Sequence, residues 1–113
     1  MKIEIRKYLE DIRGSIVEIE TYVDIASGFD AYLKSRRSKS ITERLLIVIG
    51  EQIARILRLE PGITITGTLR MTGLRNRIVH DYDQIDSATV YNILVRHVPV
   101  LKKEVAALLN HYG

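Results

Sequence analysis

The chain has 113 residues, 46% of them hydrophobic and 27% charged, and its 17 Lys and Arg outnumber 14 Asp and Glu for a formal charge of +3. That length and apolar content suit one domain with its own core, and the modest basic excess permits a polyanionic partner without arguing for one. With no cysteine in the chain, disulfides, thiolate metal sites and cysteine nucleophiles are all excluded.

Ile5, Leu9, Ile12, Ile16, Ile19 and Val23 recur at alternating spacings of four and three, which predicts a long first helix with one apolar stripe. Gly28 interrupts the pattern; Phe29 to Leu33 can form a short helical turn, followed by a basic, serine-rich connection from Lys34 to Lys39. Ser40 with Glu43 three residues later has the form of a capping box, so a second helix is expected from there to about Arg58. Its apolar residues Ile41, Leu45, Val48, Ile49, Ile53, Ile56 and Leu57 make a face broad enough for more than one neighbour, and Pro61 and Gly62 end it. Ile63 and Ile65 alternate with threonines over too short a run to found a sheet, and are read as connection.

A third helix is expected from Leu69 to about His80 or Tyr82, with Met71, Leu74 and Ile78 inward. Ser87, preceded by Asp83 and Asp86, can cap a fourth helix carrying Val90, Leu94, His97 or Val98, Leu101, Val105 and Leu108 as its stripe. Pro99 should kink this helix without ending it, because the apolar period resumes beyond it. The expected architecture is all-α: a single domain over residues 1–113, an antiparallel bundle of four to five helices. No stretch approaches the roughly 18 apolar residues of a membrane span, and the N-terminus does not read as a signal peptide, so a cytoplasmic protein without a membrane partner is expected. His80, His97 and His111 lack a close metal-ligand spacing, and neither a metal nor a cofactor is expected.

The segment that gathers chemistry is Arg75-Asn76-Arg77-Ile78-Val79-His80-Asp81-Tyr82, where a fixed cation, an amide, a titratable imidazole and a phenol fall within one short stretch. With Arg75-Asn76, His80 and Tyr82 on the penultimate long helix, the chain resembles the HEPN superfamily, specifically its HepT-like toxins. The likeness extends to the Arg6-Lys7-Tyr8-Leu9-Glu10-Asp11-Ile12 segment, to Ile49-Gly50-Glu51, and to Val98-Pro99-Val100-Leu101-Lys102 in the same order. One departure is the lead-in to the motif helix: the family commonly has a Pro-x-x-Pro-Trp-like pattern where this chain reads Pro61-Gly62-Ile63-Thr64-Ile65-Thr66-Gly67.

The resemblance implies a helical homodimer with metal-independent endoribonuclease activity, restrained by an MNT-type nucleotidyltransferase antitoxin. It also implies that the antitoxin adenylylates the tyrosine of the motif, which by position is Tyr82. The runner-up from a different class is a catalytically silent HEPN module that binds nucleotide or docks a nucleotidyltransferase. Growth arrest on expression alone, lost with His80→Ala, separates the two.

Metal-free RNA cleavage requires a deprotonated 2′-hydroxyl, a protonated leaving 5′-oxygen and stabilisation of the phosphorane charge. His80, with an ordinary pKa near 6.5, can serve either proton transfer. Arg75 offers a permanently charged planar fork to phosphate oxygens, and Asn76 can orient the imidazole or bind a sugar or phosphate oxygen. On an ideal helix, however, Arg75 and His80 lie about 140° apart. The helix can end near His80, Arg75 can reach around on its long stem, or a two-fold axis can bring both residues from two protomers into one cleft; the composite cleft is favoured.

Arg77 lies about 60° from His80 and can touch RNA, or be an ordinary solvated arginine. Glu51 can pair with an arginine of the motif or face solvent. Arg36, Arg37 and Lys39 can steer RNA or simply decorate a solvated loop. His97 is expected to be a core or interface histidine, and nothing is assigned to His111.

Overall fold

The long helices form where apolar residues return every three or four positions. In the computed structural model, which describes residues 2–66 and 87–112, helix α1 spans Lys2–Tyr22 and buries Ile5, Leu9, Ile12, Ile16 and Ile19 almost completely, with Val23 continuing the stripe past its end. Each such side chain contributes roughly 1.5–3 kcal/mol on leaving water, so this one stripe is a large part of the core. It packs on two helices, α3 (Arg36–Leu59) and α5 (Val98–Tyr112). Exposed Arg13 and Glu10 pair at 2.8 Å on its outer face, where such pairs are worth little.

After α1 the chain turns through Asp24, whose carboxylate accepts from the Ser27 amide at 3.2 Å and from the Ser27 hydroxyl. Gly28 follows with φ +91°, a conformation that side chains disfavour, and launches the short helix α2 over Phe29–Lys34. A single residue then separates α2 from α3. Ser35 closes the first helix with its amide on the Tyr32 carbonyl, and opens the second by accepting the Ser38 amide on its hydroxyl at 3.1 Å.

This corrects the expected boundary. The stretch from Lys34 to Lys39 is not a loop, and Ser40 with Glu43 is not a capping box: both lie inside α3, one turn beyond the true cap. The physical reason is burial. Ser38 and Thr42 are buried although polar, so tertiary packing extends the helix backwards through residues whose character reads as a connection.

The C-terminal end of α3 is where Pro61 and Gly62 place it, with Glu60 as the cap residue. Residues 63–66 are irregular, as expected, yet Ile65 is buried and the Thr66 amide donates to the Glu104 carboxylate of α5 at 2.9 and 3.1 Å. The expected third helix, Leu69 to His80 or Tyr82, lies outside the described residues.

Helix α4 covers Ser87–Asn92 and runs through a π turn, Ile93–His97, into α5. Pro99 has no amide hydrogen for the carbonyl four residues back, and the turn ahead of it is widened: the Val98 amide bonds the Ile93 carbonyl, five residues away. The helix thus passes Pro99 without ending. Across this turn Ile93, Leu94 and Val98 are buried while His97 is only partly so, which resolves the His97-or-Val98 alternative in favour of the valine.

Helix α2 docks on α4 through rings. Tyr91 meets Phe29 edge-on and Tyr32 at a tilt, each at 5.3 Å between centroids, and its hydroxyl donates to the Ile25 carbonyl at 3.3 Å. Lys102 joins Glu20 at 2.8 Å between α5 and α1, and the Tyr112 hydroxyl reaches the Glu60 carboxylate, tying the ends of α5 and α3. The described residues form an all-α bundle with no strand among them.

Candidate functional site

The motif residues Arg75, Asn76, Arg77, His80 and Tyr82 lie outside the described residues. The frame that carries the segment between Thr66 and Ser87 is described at both ends. On the N-terminal side the backbone is held by Glu104, and on the C-terminal side α4 is held by the Phe29, Tyr32 and Tyr91 rings. Thr66 and α4, the described residues on either side of that segment, are thus each tied to elements distant in sequence.

Glu51 is the one predicted site residue that is described. It sits on the C-terminal half of α3, partly buried, between buried Gly50 and buried Gln52. Among the described residues it makes no ion pair. Its neighbours form a small polar group: the Gln52 side-chain oxygen accepts from Arg55 at 3.3 Å, and the Arg55 guanidinium stands over the Tyr8 ring of α1 at 5.8 Å. The Arg55 contact joins α3, which carries the Ile49-Gly50-Glu51 segment, to the Tyr8 turn of α1; both are segments on which the family likeness rested.

A second polar locus takes in Arg36 and Lys39, read in the sequence as RNA-steering or merely solvated cations, together with Ser40, Glu43 and Ser87, read there only as helix caps. Arg36, Lys39, Ser40 and Glu43 line one side of a cleft of about 280 Å³, and Ser87 at the start of α4 lines the other. Burial raises the Glu43 carboxyl above its ordinary range, and the Lys39 charge nearby pulls the other way. Behind the cleft, the Tyr32 phenol is pushed up to about 12, chiefly by burial and then by the Glu43 charge, against a smaller opposing influence of the Thr42 hydroxyl. The Tyr32 and Thr42 hydroxyls are close enough to interact electrostatically, but among the described residues neither has an aligned hydrogen-bond partner. The sequence signal for this cleft was the spacing of Arg36, Lys39 and Glu43, which share a helix face once the helix is known to start at Arg36.

Three described elements that matched the family likeness, the Tyr8 segment, the Glu51 segment and the Pro99 segment, thus converge on one bundle. The family model described as Ribonuclease HepT-like matches residues 12–108. The chain belongs to the HepT-like family. The match spans α2, α3, α4 and the whole motif segment of this HepT-like chain.

Among its relatives, the protein named "Putative RNase MJ0127" of Methanocaldococcus jannaschii is 26% identical over 112 residues, covering 96% of this chain and 89% of that protein. Two others from the same organism, named "Putative RNase MJ0125" and "Putative RNase MJ1216", are each 25% identical over 101 residues, or 83% of this chain, and are covered over 87% and 84% of their own lengths. Among the described residues, no helix of the HepT-like chain is long and apolar enough to cross a membrane.

Proposed function

We propose that this HepT-like chain is a metal-independent endoribonuclease, the toxin of a toxin–antitoxin pair, acting as a homodimer and silenced by a nucleotidyltransferase antitoxin that adenylylates Tyr82. The observation that carries the reading is the HepT-like ribonuclease match over residues 12–108, which includes Arg75 and His80 at the Arg-x4-His spacing. The relatives named as RNases, alike over most of their length, support the same substrate class.

In the proposed reaction a base removes the proton of the ribose 2′-hydroxyl, the 2′-oxygen attacks the adjacent phosphorus, and the bond to the 5′-oxygen breaks as that oxygen receives a proton. The product strand ends in a 2′,3′-cyclic phosphate. His80 takes part in the proton transfers, each worth typically 10² to 10⁴ in rate, and Arg75 binds the charge of the phosphorane. Asn76 positions the imidazole or the sugar, Arg77 adds a phosphate contact, and Glu51 of α3 holds an arginine of the motif. A two-fold axis beside the motif supplies arginine and histidine from both protomers to one cleft.

In the silencing reaction the Tyr82 phenol oxygen attacks the α-phosphorus of ATP, pyrophosphate leaves, and the phenol proton passes to solvent or to a basic group of the antitoxin. The attached AMP adds bulk and negative charge where an RNA phosphate must approach a cationic cleft.

The test is purified protein with labelled RNA in chelator. Wild type should cut, while Arg75→Ala and His80→Ala should each abolish cutting with helicity and dimer size intact; full activity in either variant overturns the reading. Incubation with the antitoxin and ATP should raise the intact mass by whole AMP units and stop cleavage, and Tyr82→Phe should prevent both.

A further inference from the structure

We infer that the cleft between the first turns of α3 and the start of α4 holds one backbone phosphate of single-stranded RNA, bound by Arg36, Lys39 and the hydroxyls of Ser40 and Ser87. The inference rests on the ribonuclease reading above and deepens it, by naming a place where the substrate is gripped away from the scissile bond.

The lining is dominated by donors. A guanidinium, an ammonium and two hydroxyls face the same space, and among the described lining residues Glu43 is the only acceptor charge. Neither Arg36 nor Lys39 is in an ion pair among the described residues, and the one carboxylate of the described lining, Glu43, feels the Lys39 charge, so two cations share the cleft with a single anion and a net positive charge is left over. A phosphodiester satisfies both, with a planar fork from the arginine and a point charge from the lysine. The volume of about 280 Å³ lies at the small end of ligand pockets, room for a phosphate with its ribose but not for a duplex or a folded partner.

The cleft is also rigidly built. Ser35 caps α3 just before Arg36, and the Tyr32–Tyr91 and Phe29–Tyr91 ring contacts hold α4 at a set position relative to α2. Ser87 stands five residues after Tyr82, and that much chain spans at most about 18 Å along any path. A short stretch of RNA can therefore touch both the cleft and the motif. Glu43 acts against the bound phosphate, so its neutralisation favours binding.

The experiment is fluorescence anisotropy of a short labelled single-stranded RNA across a series of KCl concentrations, run beside a cleavage assay with the same RNA in chelator. Arg36→Gln with Lys39→Gln should weaken binding about tenfold or more and lower the slope of log affinity against log salt by about 0.7 for each phosphate that is no longer neutralised. Glu43→Gln should tighten binding severalfold. Arg58→Gln, an exposed cation about 33 Å along the same helix, should change neither affinity nor slope by a comparable amount, which separates a site from net charge. Arg36→Lys with Lys39→Arg, keeping the charge, should recover most of the affinity.

Equal affinity and salt slope in the double glutamine variant and wild type overturn the inference, as does an equal loss in Arg58→Gln. If the double variant loses antitoxin binding but keeps RNA binding, the cleft is a protein interface and the inference falls. Wild type that cuts RNA with cleft-independent binding leaves the ribonuclease reading intact and removes only this site. Wild type that binds through the cleft but never cuts does the reverse, and wild type that neither binds nor cuts removes both.

Discussion

The two ends of α3 are built on opposite principles. Toward its C-terminus the helix presents Ile49, Ile53 and Ile56 with essentially no exposure, against the isoleucine stripe of α1. Toward its N-terminus it buries Ser38 and Thr42 instead, next to a Tyr32 hydroxyl that has no aligned hydrogen-bond partner among the described residues, and exposes Arg36 on a polar cleft. The first end gains free energy from every methyl group it hides, whereas the second desolvates hydroxyls at a cost and gains a place for charge. Stability and site are thus divided along one helix, and the division predicts how substitutions along it will differ.

The largest effect belongs to the apolar end. Ile53→Ala should destabilise the fold by about 2–5 kcal/mol, through lost burial and a residual cavity, measured by urea unfolding. A loss below about 1 kcal/mol would mean that this end is not the tightly packed one.

A smaller effect of opposite sign is expected at the other end. Thr42→Val keeps the shape of a fully buried side chain and removes a hydroxyl that has no partner, so it should stabilise by about 1 kcal/mol in the same assay. Destabilisation of that size would show that the Thr42 hydroxyl is satisfied in solution and that the two ends of α3 differ less than their burial suggests.

The smallest effect is the pH dependence of Glu43. Its carboxyl lies above the ordinary value in the folded protein, so folding favours the protonated form. The associated stability is present below the unfolded carboxyl pKa and is lost as pH rises through the folded one. Glu43→Gln should therefore raise stability at neutral pH by less than about 1 kcal/mol, given the partial exposure of the group, and should remove the part of the melting-temperature profile that falls as pH rises through the carboxyl range. An unchanged profile would remove Glu43 from the electrostatics of the cleft.

The apolar stripe of α1 was readable residue by residue because a heptad-like spacing has one physical solution, a helix with one buried face, and all six predicted residues are buried. The stop at Pro61 was equally readable, since proline and glycine act locally. The start of α3 was not, because Ser40 with Glu43 satisfies the local capping rule, and only the packing of Ser38 and Thr42 carries the helix back to its cap at Ser35. The passage of the last helix through Pro99 was foreseeable from the resumed period, but the widening into a π turn depends on which backbone groups find partners.

Of the candidate site, the residue types of the motif and their order were legible, and with them the family. Glu51 was placed on the correct helix, but its neighbours were not foreseen, since Tyr8 and Arg55 meet only when α1 lies along α3. The cleft was legible only on its α3 side, in Arg36 and Lys39, because Ser87 is far from them in the chain.

What the sequence determined by itself is whatever follows from near neighbours along the chain: helical periodicity, turn residues and the Arg75-to-Tyr82 segment with its HepT-like character. The tertiary structure alone decided where α3 begins, which of His97 and Val98 goes inside, and which cations face a common space. Those outcomes depend on burial and partner choice between residues tens of positions apart, where many local solutions of similar free energy compete until packing selects one.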